Sequence, residues 1–340
     1  MLLTKPVAGW NSLTKKIKLN GELRNKMKII FIGTPEFGVI VLNKLLEANL
    51  APVLVITSPD KPVGRKKEIT PPPVKLLAQK YNIPVEQPEK IQDTQYKIQD
   101  TNPDLIIVAA YGEILPKEIL NIPRYGCLNI HPSLLPKYRG PSPIQRAILN
   151  GDKETGVTII LMDEKMDHGP ILAQKELKIE EEETTETLHD KLAGLGASLL
   201  LATIPKWQKG GIKPEVQNEK EATFTKILTK EDGKINWQKP AQTIFQEIKA
   251  FYPWPGSYTF WQKKERLIKI KIIKARVFKS PDASSFPIAK VLIVPQNEIG
   301  IQCGEKSFLA VERLQMEGKK AMSSEDFLRG HADFIGAVLS

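Results

Sequence analysis

The stretch NIHPSLLPKYRG, residues 129–140, follows a short apolar run that begins at Gly126. Asn129 and His131 stand at alternate positions, and alternate side chains of a β-strand lie on the same face. The prolines that follow end the strand, because proline lacks the backbone N–H that a ladder or a helix needs. We therefore expect a strand that opens into a loop and presents an amide and an imidazole together at the edge of a ligand site.

Three earlier apolar runs also predict strands that end in loops. They extend from Met27 to Ile32, from Pro52 to Ile56 and from Leu105 to Ala109. Helical spacing follows the first run, and strands that alternate with helices are typical of an α/β fold with a doubly wound, mostly parallel sheet. Ligands bind such sheets beyond the carboxyl ends of the strands, so we expect the loop at Tyr111 and Gly112 to converge with His131. The first turn holds too few glycines for a dinucleotide fingerprint.

The rest of the chain divides into two parts. The first is predicted to end with a helix, two strands and a long helix, at residues 143–150, 155–162, 171–179 and 188–204. From Pro205 to Glu221 the periodicity is lost, which is typical of a linker. Residues 27–204 and 222–340 are then separate domains. A helix near 241–251 and short alternating strands near 267–277, 289–294 and 299–303 suit a small β-barrel in the second.

The charge of the chain favours a polyanionic partner. Its 340 residues include 49 Lys and Arg against 39 Asp and Glu, and a net charge of +10 is also compatible with a merely solvated, Lys-rich surface. Residues 249–279 contain nine basic residues and a single acid. Alternation places Lys269 and Lys271 on one face, which predicts a basic stripe for nucleic acid, with protection of an edge strand as the alternative. Trp254 and Trp261 are candidates to stack on bases, although the first also suits a packed hinge.

A second basic segment lies between Asp60 and Pro73. It carries Arg65, Lys66 and Lys67 among four prolines, and we expect an irregular, extended loop that contacts phosphates. A solvated loop without a partner is the alternative.

The ends of the chain and its cysteines bear on its location. Residues 1–26 form a basic extension without a signal-peptide core, and our preferred interpretation is that translation starts at Met27, with an organelle presequence or a flexible arm as alternatives. No apolar run is long enough to cross a bilayer, and Cys127 and Cys303 form no C-x-x-C pair. A cytoplasmic protein is expected.

Several motifs resemble those of the folate-dependent formyltransferases. They are Asn129-x-His131 with its Ser-Leu-Leu-Pro turn, Arg139-Gly140, Met166-Asp167-His168-Gly169, Gly33-Thr34-Pro35, Ala110-Tyr111-Gly112, Phe251-Tyr252-Pro253-Trp254-Pro255 and Gly318-Lys319-Lys320-Ala321-Met322. The resemblance covers the chain from Met27 onward and is greatest to those members that formylate methionine on initiator tRNA. It implies a Rossmann-like catalytic domain at 27–204 and an OB-like, tRNA-binding barrel at 222–340.

The same resemblance implies roles for individual residues. The catalytic amide, imidazole and carboxylate fall on Asn129, His131 and Asp167. The co-substrate would be 10-formyltetrahydrofolate and the partner methionyl-initiator-tRNA, with a monomeric enzyme and no metal, since the four histidines show no zinc-ligand spacing. The folate would contact Ser133, Leu134, Leu135 and Pro136, with Tyr111 and Gly112 near the pterin. Arg65 would approach the acceptor end of the tRNA, and Lys66, Lys67, Lys269 and Lys271 are the other candidate tRNA contacts.

The chain departs from the family pattern at His168, at Pro141-Ser142 and at Lys165-Met166, and two alternative functions remain open. His168 stands where the family usually has a small hydroxyl residue, so we expect a second titratable group beside Asp167. A formyltransferase for glycinamide ribonucleotide or an amino sugar-nucleotide would not need the basic second domain. An inactive RNA-binding homologue would not need Asn129, His131 and Asp167 together.

Overall fold

The structure is a computed structural model that describes residues 27–64, 67–278 and 286–340. The strands of its N-terminal part are β1 (Ile29–Gly33), β2 (Leu54–Ile56), β3 (Lys61–Val63), β4 (Glu68–Thr70), β5 (Val85–Glu86), β6 (Leu105–Ala109), β7 (Cys127–His131), β8 (Glu154–Leu161) and β9 (Ile171–Lys178). The helices of this part are α1 (Glu36–Glu47), α2 (Pro73–Lys80), α3 (Gln95–Thr101), α4 (Lys117–Leu120), α5 (Pro143–Leu149) and α6 (Thr185–Gln208).

Seven of these strands form one sheet, in the order β5-β2-β1-β6-β7-β8-β9. Neighbours from β5 to β7 are parallel, and β8 and β9 are antiparallel additions at one edge. The mostly parallel α/β sheet predicted from the apolar runs is confirmed. Its strands can be nearly continuous runs of Ile, Leu and Val because both faces are covered.

The two faces of the sheet have separate cores. In β1, Ile29 and Phe31 belong to the cluster covered by α1, α2, α5 and α6, whereas Ile30 and Ile32 belong to the cluster that includes α3 and α4. In β7, Leu128 and Ile130 lie in the first cluster, so the alternation of the strand directs Asn129 and His131 to the opposite face. The pleat of one strand thus separates core residues from site residues.

The C-terminal part consists of an antiparallel sheet with helices packed against it. Its elements are α7 (Ala241–Ala250), β10 (Ser257–Lys263), β11 (Arg266–Phe278), β12 (Val291–Val294), β13 (Glu298–Cys303), β14 (Ser307–Met316), β15 (Met322–Ser323) and α8 (Ser324–Gly330). The strand order is β10-β11-β14-β13-β12, and β15 pairs with β14. This half-barrel confirms the expected small β domain. Trp261, a candidate for base stacking, is instead 2% exposed and packs on Phe327 and Phe334 in its core.

The two parts pack directly on each other. Helix α7 contacts α5, and Phe251 is buried in the N-terminal core. Thr185 Oγ1 donates to Ala250 O at 2.6 Å, and Lys249 Nζ donates to Glu181 O at 2.7 Å. Lys249 is therefore buried at a domain contact, so it does not contribute to an exposed basic stripe. Because these contacts involve several helices, the second domain packs on the first in a defined position.

Two local predictions were wrong. Residues 61–70 are not irregular, because β3 and β4 pair as an antiparallel hairpin. Its free edges tolerate the proline at position 62. Helix α6 also continues through Pro205 to Gln208, into the expected linker. Trp207 Nε1 donates to Tyr125 O at 2.9 Å, which holds this last turn against the segment before β7 despite the proline.

Among the described residues, no helix is both long enough and apolar enough to cross a membrane.

Candidate active site

Strand β7 presents Asn129 and His131 at its carboxyl end, as predicted. His131 is 4% exposed, and its Nε2 lies 2.9 Å from Tyr138 O. A carbonyl oxygen can only accept, so Nε2 carries the proton of this hydrogen bond. The other ring nitrogen, Nδ1, faces Asp167 Oδ1 at 3.5 Å. In the neutral imidazole the nitrogen without a proton is therefore Nδ1, which lies beside the carboxylate.

Asp167 lies in the turn between β8 and β9. Its Oδ2 accepts from Gly140 N at 2.7 Å, and its Oδ1 lies 3.4 Å from Asn129 Nδ2. One carboxylate thus joins the amide, the imidazole and the 136–140 loop. The backbone of Asp167 is left-handed, with φ of 49°, which costs a residue with a side chain about 1–3 kcal/mol and requires support from its surroundings.

Gly140 has to be glycine. Its φ is 103°, and an added Cβ would lie 3.0 Å from both Thr225 O and Thr225 Oγ1. Without a side chain, the loop can approach residue 225 and still direct its N–H at Asp167. The Arg-Gly pair that ends the opening stretch therefore has a physical role in assembling the site.

The loop after His131 is held by two residues that the sequence analysis did not identify. Thr158 Oγ1, fully buried in β8, donates to Ser133 O at 2.7 Å and lies 3.1 Å from Leu135 N. Gln174 Nε2 donates to Leu135 O at 2.8 Å and to Thr158 Oγ1 at 2.9 Å. These bonds fix the Ser133–Pro136 backbone against the paired strands β8 and β9, which therefore determine the conformation of this loop.

Replacing Thr158 with valine is expected to destabilise the protein by about 1–3 kcal/mol, because the change keeps the shape but leaves Ser133 O without its buried donor. Urea unfolding followed by circular dichroism measures this. Thr101→Val, which removes an exposed helical hydroxyl bond, is the matched control and should stay within about 0.5 kcal/mol of wild type. Equal stability of the two variants would contradict the role given to Thr158.

Tyr111 and Gly112 follow β6. The ring of Tyr111 is buried with Ile30 and Ile56, and its hydroxyl has no hydrogen-bond partner in the described part of the chain. Burial, with a smaller contribution from Glu113, raises the pKa of this hydroxyl well above its usual range. Gly112 is open, with φ of 92° and no atom within 4 Å of the position that a Cβ would take. The backbone of this loop, not the tyrosine ring, therefore faces the open side.

A further set of residues comes from the segment expected to be a linker. Arg139, 2% exposed, donates through Nε and Nη2 to Gln217 Oε1 at 3.0 and 2.8 Å, and through Nη2 to Glu219 Oε1 at 2.6 Å. The backbone of Arg139 also pairs with Thr223 and Thr225, with N–O distances of 2.8 Å on both sides. We call residues 215–225 the strap, because they cross the 136–140 loop and the turn of Asp167.

His168 does not turn toward Asp167. Its Nδ1 lies 2.5 Å from Asp163 Oδ2, and its Nε2 lies 3.5 Å from Glu219 Oε1. The hydrogen bond from Arg139 lowers the pKa of Glu219, which keeps that carboxylate ionised beside the imidazole. The expected second titratable group is present, but its contacts are with the strap and the start of the turn.

Two family profiles match most of the chain. The family profile described as "Formyl transferase" matches residues 27–204, and the profile described as "Formyl transferase, C-terminal domain" matches residues 227–332. The chain belongs to the formyltransferase family.

Two relatives of this formyltransferase are similar over nearly their whole lengths. The chain is 44% identical to a protein of Halalkalibacterium halodurans named methionyl-tRNA formyltransferase, over 92% of this chain and 98% of that protein. It is 46% identical to a protein of the same name from Thermodesulfovibrio yellowstonii, over 89% of this chain and 95% of that one.

Among solved structures, the formyltransferase resembles HypX from Aquifex aeolicus in complex with tetrahydrofolic acid. The TM-score is 0.59 at 17% identity, over 91% of this chain, and the chain spans 47% of HypX. At this identity the likeness shows the fold. Within the described residues, no group of three or more His, Cys, Asp or Glu side chains is arranged to hold a metal ion.

Proposed function

We propose that this formyltransferase transfers the formyl group of 10-formyltetrahydrofolate to the α-amino group of methionyl-initiator-tRNA. The observation that carries the proposal is the convergence of Asn129, His131 and Asp167, with both other side chains within 3.5 Å of one carboxylate oxygen. Near-full-length similarity to proteins named methionyl-tRNA formyltransferase supports the choice of amine. The complex of HypX with tetrahydrofolic acid supports a folate donor.

The chemistry needs a donor to oxygen and a path for a proton. The amine nitrogen forms a bond to the formyl carbon, the bond from that carbon to the folate nitrogen breaks, and one proton passes from the amine to the folate nitrogen. Negative charge develops on the formyl oxygen during the attack, and Asn129 Nδ2 is placed to donate to it. His131 Nδ1 is placed to take and return the proton, and the charge of Asp167 stabilises the imidazolium formed in between.

The residues expected to hold the folate fit a flat heterocycle with polar edges. Ser133–Pro136 is fixed from behind by Thr158 and Gln174. After the carboxyl end of the neighbouring parallel strand β6, the backbone N–H groups of residues 112–115 donate no hydrogen bond within the described part of the chain, and Ile114 is 52% exposed. Free backbone donors beside apolar surface are the groups that bind and orient such a ring.

The tRNA is proposed to contact the outer face of β10 and β11. In β11, Ile270 and Ile272 are buried on the core face. Lys269 and Lys271 lie on the opposite, outer face of the strand, as the alternation predicted. These two lysines line a concavity of about 310 Å³ together with Lys230, Trp254 and Tyr258. Burial and the neighbouring Lys271 lower the pKa of Lys269, whose Nζ lies 3.3 Å from the centre of the Tyr258 ring. Lysines beside partly or fully exposed aromatic rings suit phosphates and bases of RNA.

Lys269 and Lys271 differ from neighbouring lysines in their ion pairing. Lys263 pairs with Asp333 and Lys274 with Glu312, whereas Lys269 and Lys271 form no ion pair within the described residues. An unpaired cation can bind phosphate without giving up an existing partner. Arg65 and Lys66, two other proposed tRNA contacts, lie outside the described residues. Lys67, at the tip of the β3–β4 hairpin, is exposed.

The double replacement Lys269→Gln and Lys271→Gln is expected to raise the KM for methionyl-tRNA about 10- to 100-fold, because two charge-assisted contacts are lost. The KM for the folate should stay unchanged. The slope of log KM against log salt should also decrease by about one to two units. Lys263→Gln with Lys274→Gln removes the same charge from already paired lysines. A KM equal to that of this control would contradict the assignment.

The proposed activity is tested by transfer of labelled formyl from 10-formyltetrahydrofolate. Charged initiator tRNA is the substrate, and uncharged tRNA, free methionine and an amino sugar-nucleotide are the controls. Label is expected on the charged tRNA alone. Transfer to the sugar-nucleotide, or to none of them, would overturn the proposal.

A further inference from the structure

We infer that Gln217 is a positioning residue for Asp167, supplied by the chain that connects the two domains. The inference rests on the proposed function, because it assigns a role within that reaction. The strap passes over the turn of Asp167, and Gln217 Nε2 donates to Asp167 O at 2.9 Å and to Gly169 O at 2.8 Å. Gln217 is 5% exposed, so no solvent competes for these bonds.

The amide of Gln217 accepts two hydrogen bonds and donates two, and this combination requires a carboxamide side chain. Its Oε1 accepts two bonds from Arg139, and its Nε2 donates two bonds to carbonyls. These partners fix the orientation of the amide, since a guanidinium only donates and a carbonyl only accepts. Glutamate could accept from Arg139 but could not donate as an anion, and lysine could donate but not accept. Asparagine has the right groups on a shorter stem.

Both carbonyls belong to the turn that sets the carboxylate. Asp167 has a left-handed backbone, and Gly169 approaches Leu161 so closely that an added Cβ would lie 1.9 Å from Leu161 O. The turn therefore has little freedom to rearrange on its β8 side. On its other side Gln217 supplies the two donors that hold the left-handed residue in place.

The strap holds the facing loop at the same time. Tyr138 N donates to Thr223 Oγ1 at 2.8 Å, and Thr225 N donates to Arg139 O at 2.8 Å. This loop supplies Tyr138 O to His131 and Gly140 N to Asp167. The strap, eleven residues long, therefore contacts both the turn that carries Asp167 and the 136–140 loop that contacts His131 and Asp167. A small movement of the turn would lengthen contacts that are already 3.4 and 3.5 Å.

The test compares Gln217→Glu and Gln217→Met with wild type in the formyl-transfer assay. The first keeps an acceptor for Arg139 and loses the donors to the turn, and the second keeps the length of the side chain and loses every polar contact. We expect kcat to decrease about 10- to 100-fold, because small misplacements of catalytic groups have effects of this size. The KM values for the folate and for methionyl-tRNA should stay within about threefold, since Gln217 is buried behind the turn. Gln208→Glu makes the same chemical change at an exposed position and should match wild type.

The outcomes are distinguishable. If wild type itself fails to formylate the charged tRNA, the proposed function fails. If wild type is active and both variants retain kcat within threefold, or lose affinity for the substrates without losing kcat, the inference about Gln217 is overturned. Loss of the native thermal transition in both variants would show a purely structural residue and would overturn it as well.

Discussion

Replacing Asn129 with alanine is expected to lower kcat for formyl transfer about 100- to 1,000-fold, which is the usual effect of removing one donor to a developing oxyanion. The amide is partly buried at the end of β7, and its Nδ2 contacts Asp167 Oδ1 at 3.4 Å. Its loss should leave the folate and the tRNA bound, because the donor acts on charge that appears only during the reaction. Single-turnover transfer of labelled formyl at saturating substrates measures the step directly.

Asn121→Ala is a suitable control for this variant, since Asn121 is exposed at the end of α4. It should match wild type in rate and in thermal midpoint. A folded Asn129→Ala protein with a rate within threefold of wild type would remove Asn129 from the mechanism.

Replacing Asp167 with asparagine is expected to have an effect of similar or greater size, about 100- to 10,000-fold on kcat. Asparagine keeps an oxygen that can accept from Gly140 N, so the loop contact at 2.7 Å can persist. The negative charge beside His131 Nδ1 is lost, and with it the stabilisation of the imidazolium that carries the transferred proton. The measurement is kcat under saturating folate and tRNA, with KM for both recorded.

Asp100→Asn provides the matched change at an exposed helical position. A loss confined to KM, or shared by this control, would mean that Asp167 binds substrate and does not support His131.

The sheet and the pairing of Asn129 with His131 on one strand face were accessible from sequence for local reasons. Asn129 and His131 are two residues apart on a strand whose apolar neighbours reveal its face, so their common direction follows from the pleat. Asp167 was found because its motif resembles one in a known family. Its contact with the strand depends on the return of the chain through β8 and β9, which no local pattern states.

The strap could not be predicted in the same way. Its residues have no helical or strand periodicity, because they are ordered by partners about eighty positions away, such as Arg139 with Gln217. The buried Trp261 and Lys249 show the converse error. Their residue types suggested contact with RNA, but the packing of α7 and α8 places them in the core or at the domain contact. Composition describes what a surface could bind, and only tertiary packing decides which side chains reach that surface.

The position of the strap limits how freely the two domains can be exchanged between proteins. A fragment that ends at Ile204, where the match to the first family profile ends, would contain the seven-stranded sheet together with Asn129, His131 and Asp167. It would lack the residues that fasten the turn and the loop to each other. Recombination at this junction would therefore have to carry residues 205–225 with the first domain, so the smallest transferable catalytic module is longer than its core.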